Sequence, residues 1–254
     1  MNGPIQNSQF RIVNCALAAT FALAASPALA QGAGRGFLFR PPNGAVSIRT
    51  GYDRASAGSD LFTFVTDQLT VNPNDFNAIA FAFDLDYRLT PRLDAVFGVG
   101  SSRTTTKSEF RHWVDNNRQP IEQSTEFQRV PLTAAVKAYL VPPGRSIGHF
   151  AWVPARIAPY VGAGGGVMWY RFQQRGDFIA FDTLKVFTDE FDSNGWTPIV
   201  QALGGVEVSL ASRLAIATEA RYEWARAHLG RDFSGFDRID LSGVSFTSGV
   251  VIRY

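Results

Sequence analysis

The tract "IAFAFDLDYR", residues 79–88, restricts this chain more than any other stretch of it. With a period of two, Ile79, Phe81, Phe83, Leu85 and Tyr87 share one face, and Ala80, Ala82, Asp84, Asp86 and Arg88 the other. That period belongs to an extended strand whose two faces meet different surroundings. Carboxylates and a guanidinium are too costly for a dry sandwich core, and five large apolar groups are too costly in water. Lipid on one side and a polar lumen on the other accommodates both.

The same grammar recurs. "LDAVFGVG" sets Leu93, Ala95, Phe97 and Val99 against Asp94 and glycines, after the tight turn at Pro91. "VPLTAAVKAYL" sets Val130, Leu132, Ala134, Val136, Ala138 and Leu140 against Arg129, Thr133, Lys137 and Tyr139. "PYVGAGGGVMWY", "VQALGGVEVSL" and "LAIATEARYEW" follow suit, the last with Leu214, Ile216, Tyr222 and Trp224 opposite Glu219, Arg221 and Glu223. With "AVSIRTGY" near residue 45 and the closing "SFTSGVVIRY", the pattern predicts eight strands. Short connections fall near 89–92 and 211–213, and long polar loops near 53–75, 103–127, 173–195 and 227–238. The segment 141–158 breaks this alternation. Its Phe150, Trp152 and Val153 fit either a membrane interface or a loop packed under the barrel.

The first residues carry one charge, Arg11, then a run of small and apolar residues from Ile12 to Ala25, then "SPALA" with Ala28 and Ala30 in an A-x-A pattern. This reads as a cleavable secretory signal, because the run is shorter than the roughly 20 residues a membrane helix needs. The expected layout is a signal peptide at 1–30, a periplasmic segment at 31–43 and a barrel at 44–254. Cleavage would remove Cys15, the only cysteine, so no disulfide holds the mature chain. Net charge is +2, and +1 without Arg11, a balance that does not point to nucleic acid. Mean hydropathy near zero is what alternating lipid-facing and lumen-facing residues produce on average.

On the signal peptide, the alternation, the "PYVGAGGG" strand and the terminal strand, the chain resembles the small eight-stranded outer-membrane β-barrels of the OmpA, OmpX, OmpW and Opa kind. The resemblance covers roughly 44–254. It implies an all-β, eight-stranded antiparallel up-and-down transmembrane barrel in the bacterial outer membrane, with short periplasmic turns and long extracellular loops. Its partners would be the lipid bilayer and, during biogenesis, the barrel-assembly machinery, which reads the last strand. Phe246, Val250, Ile252 and Tyr254 would carry that signal, although the family usually ends in Phe rather than Tyr.

Chemistry is sparse. His112, His149 and His228 are scattered, and none stands beside a serine in a strand, so neither catalysis nor a metal site is expected. "GAGGG" at 162–166 lacks the dinucleotide spacing and reads as relief of crowding in a barrel wall. "DEFDSNG" at 189–195 holds Asp189, Asp192 and Asn194, a partial calcium pattern that reads better as a solvated loop. No cofactor is implied.

Two clusters remain. Arg49, Asp84, Asp86, Arg88, Asp94, Arg129, Lys137, Glu207, Glu219, Arg221 and Glu223 point inward in this register. An eight-stranded barrel is just wide enough for side chains to fill, and buried charges need partners. An ion-pair network that plugs the bore is therefore expected, with a gate or selective channel as the alternative. Outside, Leu61, Phe62, Val65 and Leu69 have helical spacing behind Ser59 or Asp60, and Phe178, Phe181, Leu184 and Phe187 add a second apolar group. They form a cap over the mouth or the entrance for a hydrophobic ligand. The chain is read as anchoring and presenting loops. A narrow channel for small hydrophobic molecules and a soluble lipocalin-like barrel are the alternatives, and outward-facing Phe81, Phe83 and Leu85 would exclude the latter.

Overall fold

The computed structural model describes residues 36–115, 118–148, 150–180 and 185–254. The signal-peptide assignment and Phe181, Leu184 and His149 lie outside them. Among the described residues eleven strands run in chain order: β1 (Gly44–Ala55), β2 (Ala78–Thr90), β3 (Leu93–Val114), β4 (Pro120–Tyr139), β5 (Gly144–Ile147), β6 (Ala151–Pro154), β7 (Ile157–Ala180), β8 (Lys185–Ser209), β9 (Leu214–His228), β10 (Arg238–Asp240) and β11 (Gly243–Arg253). Among the described residues one α-helix, α1 (Asp60–Gln68), follows β1.

Eight strands close into an antiparallel ring in the order β1, β2, β3, β4, β7, β8, β9, β11. Closure is by β1 against β11, from Ala45 opposite Arg253 to Ala55 opposite Gly243. Over the closed ring no edge is left unpaired, so the ladder hydrogen bonds there are satisfied within the wall. The two-residue period decides what each face meets. Ile48, Phe81, Phe97, Val136, Val200 and Ile216 stand on the outside, with Phe81 61% exposed. Arg49, Asp84, Lys137 and Glu219 are buried inside. That is the reverse of a soluble lipocalin-like barrel, whose apolar residues point inward, and it overturns that alternative.

The strands are unequal. β3, β4, β7 and β8 are neighbours and have 22, 20, 24 and 25 residues. β9, β11, β1 and β2 have 15, 11, 12 and 13. A tilted strand crosses a bilayer in about 9–11 residues, so the four long strands overhang at one end as a half-cylinder. Here the sequence expectation needs correction: 103–127 and 173–195 are largely hairpin extensions of β3–β4 and β7–β8, and not loops. The chain stays extended because cross-strand pairs hold it. Arg103 meets Glu126 at 2.6 Å, Arg171 meets Asp192 at 2.7 Å and Arg175 meets Glu190 at 2.6 Å. The hydrogen bond from Arg171 to Asp192 raises the guanidinium pKa above its ordinary value. β-branched Thr104, Thr105 and Thr106 also favour the pleat.

The short-side connections, 56–77 and 229–242, reach across and clasp the inner face of the overhang. Thr70 donates its backbone N–H to Glu109 at 2.9 Å, Arg111 donates to the Val71 carbonyl at 3.2 Å, and Gly230 N–H donates to Ser193 at 2.8 Å. In α1 the capping work falls to Asp60, whose carboxylate accepts from the N–H groups of Leu61 and Asp237 at 2.9 Å each. Ser59 holds the N-cap position without a side-chain bond.

Candidate functional site

The candidate site is the interior of the ring, because that is where the sequence places charge against expectation. From the short-turn end upward, Arg253 donates to Glu207 at 3.1 Å and to Ser209 at 3.0 Å. Glu207 also accepts from the Tyr139 hydroxyl at 2.6 Å and from Lys137 at 3.3 Å. Lys137 is bonded to Asp86 as well, and its ammonium lies 4.8 Å from the centre of the Tyr160 ring. Tyr160 carries the chain of contacts on, donating its hydroxyl to Glu219 at 2.9 Å. Glu219 pairs with Arg221 at 2.8 Å and with Arg49 at 3.0 Å, and both arginines reach Asp84. Arg49 donates further to Ser47 at 3.1 Å and Thr247 at 3.3 Å. The far oxygen of Asp86 is buried without a partner among the described residues.

Local sequence explains how so much fits. Small residues face the large ones across the ladder: Gly205 lies opposite Tyr160, and a side chain there would meet the tyrosine hydroxyl at 2.6 Å. Gly98 likewise leaves room for Asp84. The glycines of "GAGGG" lie in the wall on β7, where Gly164 and Gly166 back directly onto the β4 backbone.

A second tier sits above. Arg129 pairs with Asp53 at 2.6 Å and donates to the Leu241 carbonyl at 2.9 Å. Beside it a cavity of about 30 Å³ is lined by Arg49, Asp53, Arg129, Arg221 and Glu223. That is space for one or two water molecules. Next comes an apolar layer. Phe62 of α1 meets Phe76, Phe127 and Phe172 edge-on at 4.8, 5.4 and 5.7 Å between ring centres. Phe172 continues to Phe233 at 5.5 Å. The rings run outward through Phe191 and Phe178, 4.6 Å apart, to Phe187 on the β7–β8 hairpin. Leu61, Phe62, Val65 and Leu69 are all buried in this layer. Of the second apolar group, Phe178 is buried and Phe187 stands partly exposed at the hairpin.

The other end is covered too. β5 and β6 form a hairpin whose Trp152, 3% exposed, exchanges backbone bonds of 2.8 and 2.7 Å with Leu38. The indole sits under Arg253, 5.9 Å from ring centre to guanidinium carbon. The 141–158 segment therefore divides between the two expectations: Trp152 packs beneath the ring, and Phe150 is 78% exposed.

Of the inward residues read from sequence, Arg49, Asp84, Glu219 and Arg221 form one ion-paired group and Asp86, Lys137 and Glu207 another, the two meeting at Tyr160. Arg88 and Asp94 pair apart from it, at 2.5 Å near the short-turn rim. Glu223 lines the small cavity and forms no ion pair among the described residues. Sequence reasoning missed Arg253, Asp53, Tyr139 and Tyr160. Arg253 was detectable, since it lies on the odd, inward face of the last strand. "DEFDSNG" is strand, not a loop: Asp192 is taken by Arg171, and Asn194 donates to Asp192 at 2.6 Å. His112 and His228 lie near the ends of β3 and β9. Among the described residues no group of three or more His, Cys, Asp or Glu could hold a metal ion.

No protein-family model matches the chain, and no curated protein matches it. Among solved structures it is similar to Neisserial surface protein A, at 8% identity over 84% of this chain and 97% of that one, TM-score 0.43. It is also similar to Ail, the attachment invasion locus protein of Yersinia pestis, at 12% identity over 83% and 99%, TM-score 0.40. A third is the N-terminal β-barrel domain of Pseudomonas aeruginosa OprF, at 11% identity over 85% and 100%, TM-score 0.36.

Proposed function

We propose that this chain is an integral outer-membrane barrel that anchors and displays an extracellular cap, and that it neither catalyses nor carries a standing pore. The observation that carries this is the filled interior: an ion-pair cluster, an aromatic layer above it and Trp152 beneath, within a wall whose outer face is apolar. The apolar wall matches the length a bilayer asks for. On β9 the outward residues run from Leu214 to Trp224, with Arg226 the next one out. Trp169, Trp196, Tyr222, Trp224 and Tyr52 would sit at one headgroup level and Tyr87 and Tyr254 at the other. The short turns then face the periplasm and the overhang faces outward. Residues 1–30 serve as a cleaved export signal and 31–43 as a periplasmic lead-in. Phe246, Val250 and Ile252 on β11 and Tyr254 just after it, all outward, present the face that barrel-assembly machinery reads.

The test has two parts. The protein fractionates with outer membranes and changes gel mobility on boiling; recovery as a soluble periplasmic monomer would overturn the membrane reading. In planar bilayers the wild type shows no steady conductance. A stable open pore would overturn the closed bore and favour a narrow channel for small hydrophobic molecules, for which the aromatic layer at the mouth is the specific observation.

A further inference from the structure

The short-turn end carries an arrangement that closing the bore does not use. Phe37, Phe39, Leu140, Val141, Ile147 and Phe150 are exposed there, Phe39 at 73%. They are held outward by structure. The β5–β6 hairpin is pinned through Trp152 and Leu38, and Phe37 and Phe39 lean on each other edge-on at 5.6 Å. Among these side chains stand Arg40, Arg92, Arg145 and Arg156, all exposed and without an ion pair among the described residues. The acidic side chains nearest this end are Asp86, Asp94 and Glu207, which lie inside the ring and are taken by Lys137, Arg88 and Arg253, and the backbone of Tyr254 at the same end bonds Asn43 and Gly44. The face is thus apolar and cationic, with no described acidic side chain exposed on it.

We propose that this face binds the anionic phospholipid headgroups of the leaflet next to it, with the aromatic side chains at glycerol depth and the guanidiniums on phosphates. The proposal rests on the reading above that the chain spans a membrane with its short turns toward the periplasm. One property chooses lipid over a carboxylate-bearing wall polymer or an acidic protein, and a second suits it. Exposed phenylalanine gains by entering an interface that only a bilayer supplies. Guanidinium groups match phosphate oxygens two at a time, and an anionic leaflet draws basic side chains at its surface. The proposal extends the chain's contact with lipid from the wall to the underside of the hairpin.

The test uses the full mature protein in detergent doped with equal amounts of phosphatidylglycerol and phosphatidylcholine, counting retained lipids by native mass spectrometry. The wild type should keep phosphatidylglycerol in at least about fivefold preference, the gain expected from a single basic residue at an anionic surface. Raising salt should erode that preference. The variant Arg40→Gln/Arg92→Gln/Arg145→Gln/Arg156→Gln should lose it, and the same four positions as lysine should restore part. Phe37→Ser/Phe39→Ser/Phe150→Ser should release both lipids more easily. Equal retention of the two lipids by wild type, a preference indifferent to salt, or a preference that survives the glutamine variant would each overturn the proposal. Co-sedimentation of the wild type with purified wall polymer in place of lipid preference would overturn it in favour of the polymer. Boiling-dependent mobility, measured on the same samples, reports separately on the barrel: its absence in the wild type would sink the membrane reading itself.

Discussion

Lys137 holds two carboxylates, Asp86 and Glu207, in a space with little water, so the effect of removing it depends on what is left behind. Lys137→Met strands Asp86 and leaves Glu207 to Arg253 and Tyr139, and breaking a buried pair costs about 3–5 kcal/mol. The expected result is a clear fall in the temperature at which the folded gel band disappears. Adding Asp86→Asn removes that stranded charge, while Glu207 keeps Arg253 and Tyr139, so the double variant should recover part of the loss. A double variant no more stable than the single one would mean the cluster is not coupled. Gly205→Val should also destabilise, since its side chain would displace the Tyr160 hydroxyl from Glu219. At this scale the sequence was legible in one respect only. Which face of a strand looks inward follows from local alternation. Which charges meet does not, because partners such as Arg49 and Glu219 lie 170 residues apart.

Elements were legible where the ring imposes a contrast between an apolar outer face and a charged inner one. β2 and β9 stand out because one side is apolar and the other charged. Beyond the ring the outer face meets water and the inner face meets the apolar cap, so the apolar-out, charged-in contrast is lost, and the overhanging parts of β3, β4, β7 and β8 read as loops although their ladders continue. α1 was legible because its helical spacing serves a different surface, the aromatic layer. Phe62 is central to that layer, and truncating a buried Phe typically costs about 3–5 kcal/mol. Phe62→Ala should therefore release 56–77 to protease while boiling-dependent mobility persists, since the ring itself is untouched. Loss of that mobility would show that cap and ring fold as one unit. On β11, Tyr254→Asp should lower the amount of assembled barrel more than the amount synthesised, measured as folded against total band intensity. Equal losses in both would count against its role in assembly.

At the scale of the molecule the closures lie one behind another: Trp152, the ion-pair cluster, and the aromatic layer. Barriers in series are set by whichever remains, so Lys137→Met or Phe62→Ala alone should leave planar-bilayer current near background. Removing the cluster, the cap and Trp152 together is what should let ions through. A single substitution that opened a steady pore would show that the other two are leaky.

The unequal wall has a consequence of its own. In the orientation proposed above, seen from outside the cell, the molecule has a windward and a lee side. On one flank four hydrogen-bonded strands stand up as a screen. On the other, only the folded-over connections 56–77 and 229–242 separate the mouth from its neighbours. A large molecule approaching along the membrane reaches the cap from the β9, β11, β1 and β2 flank and meets a shutter on the opposite one. Whatever this protein meets at that mouth, it meets with a heading.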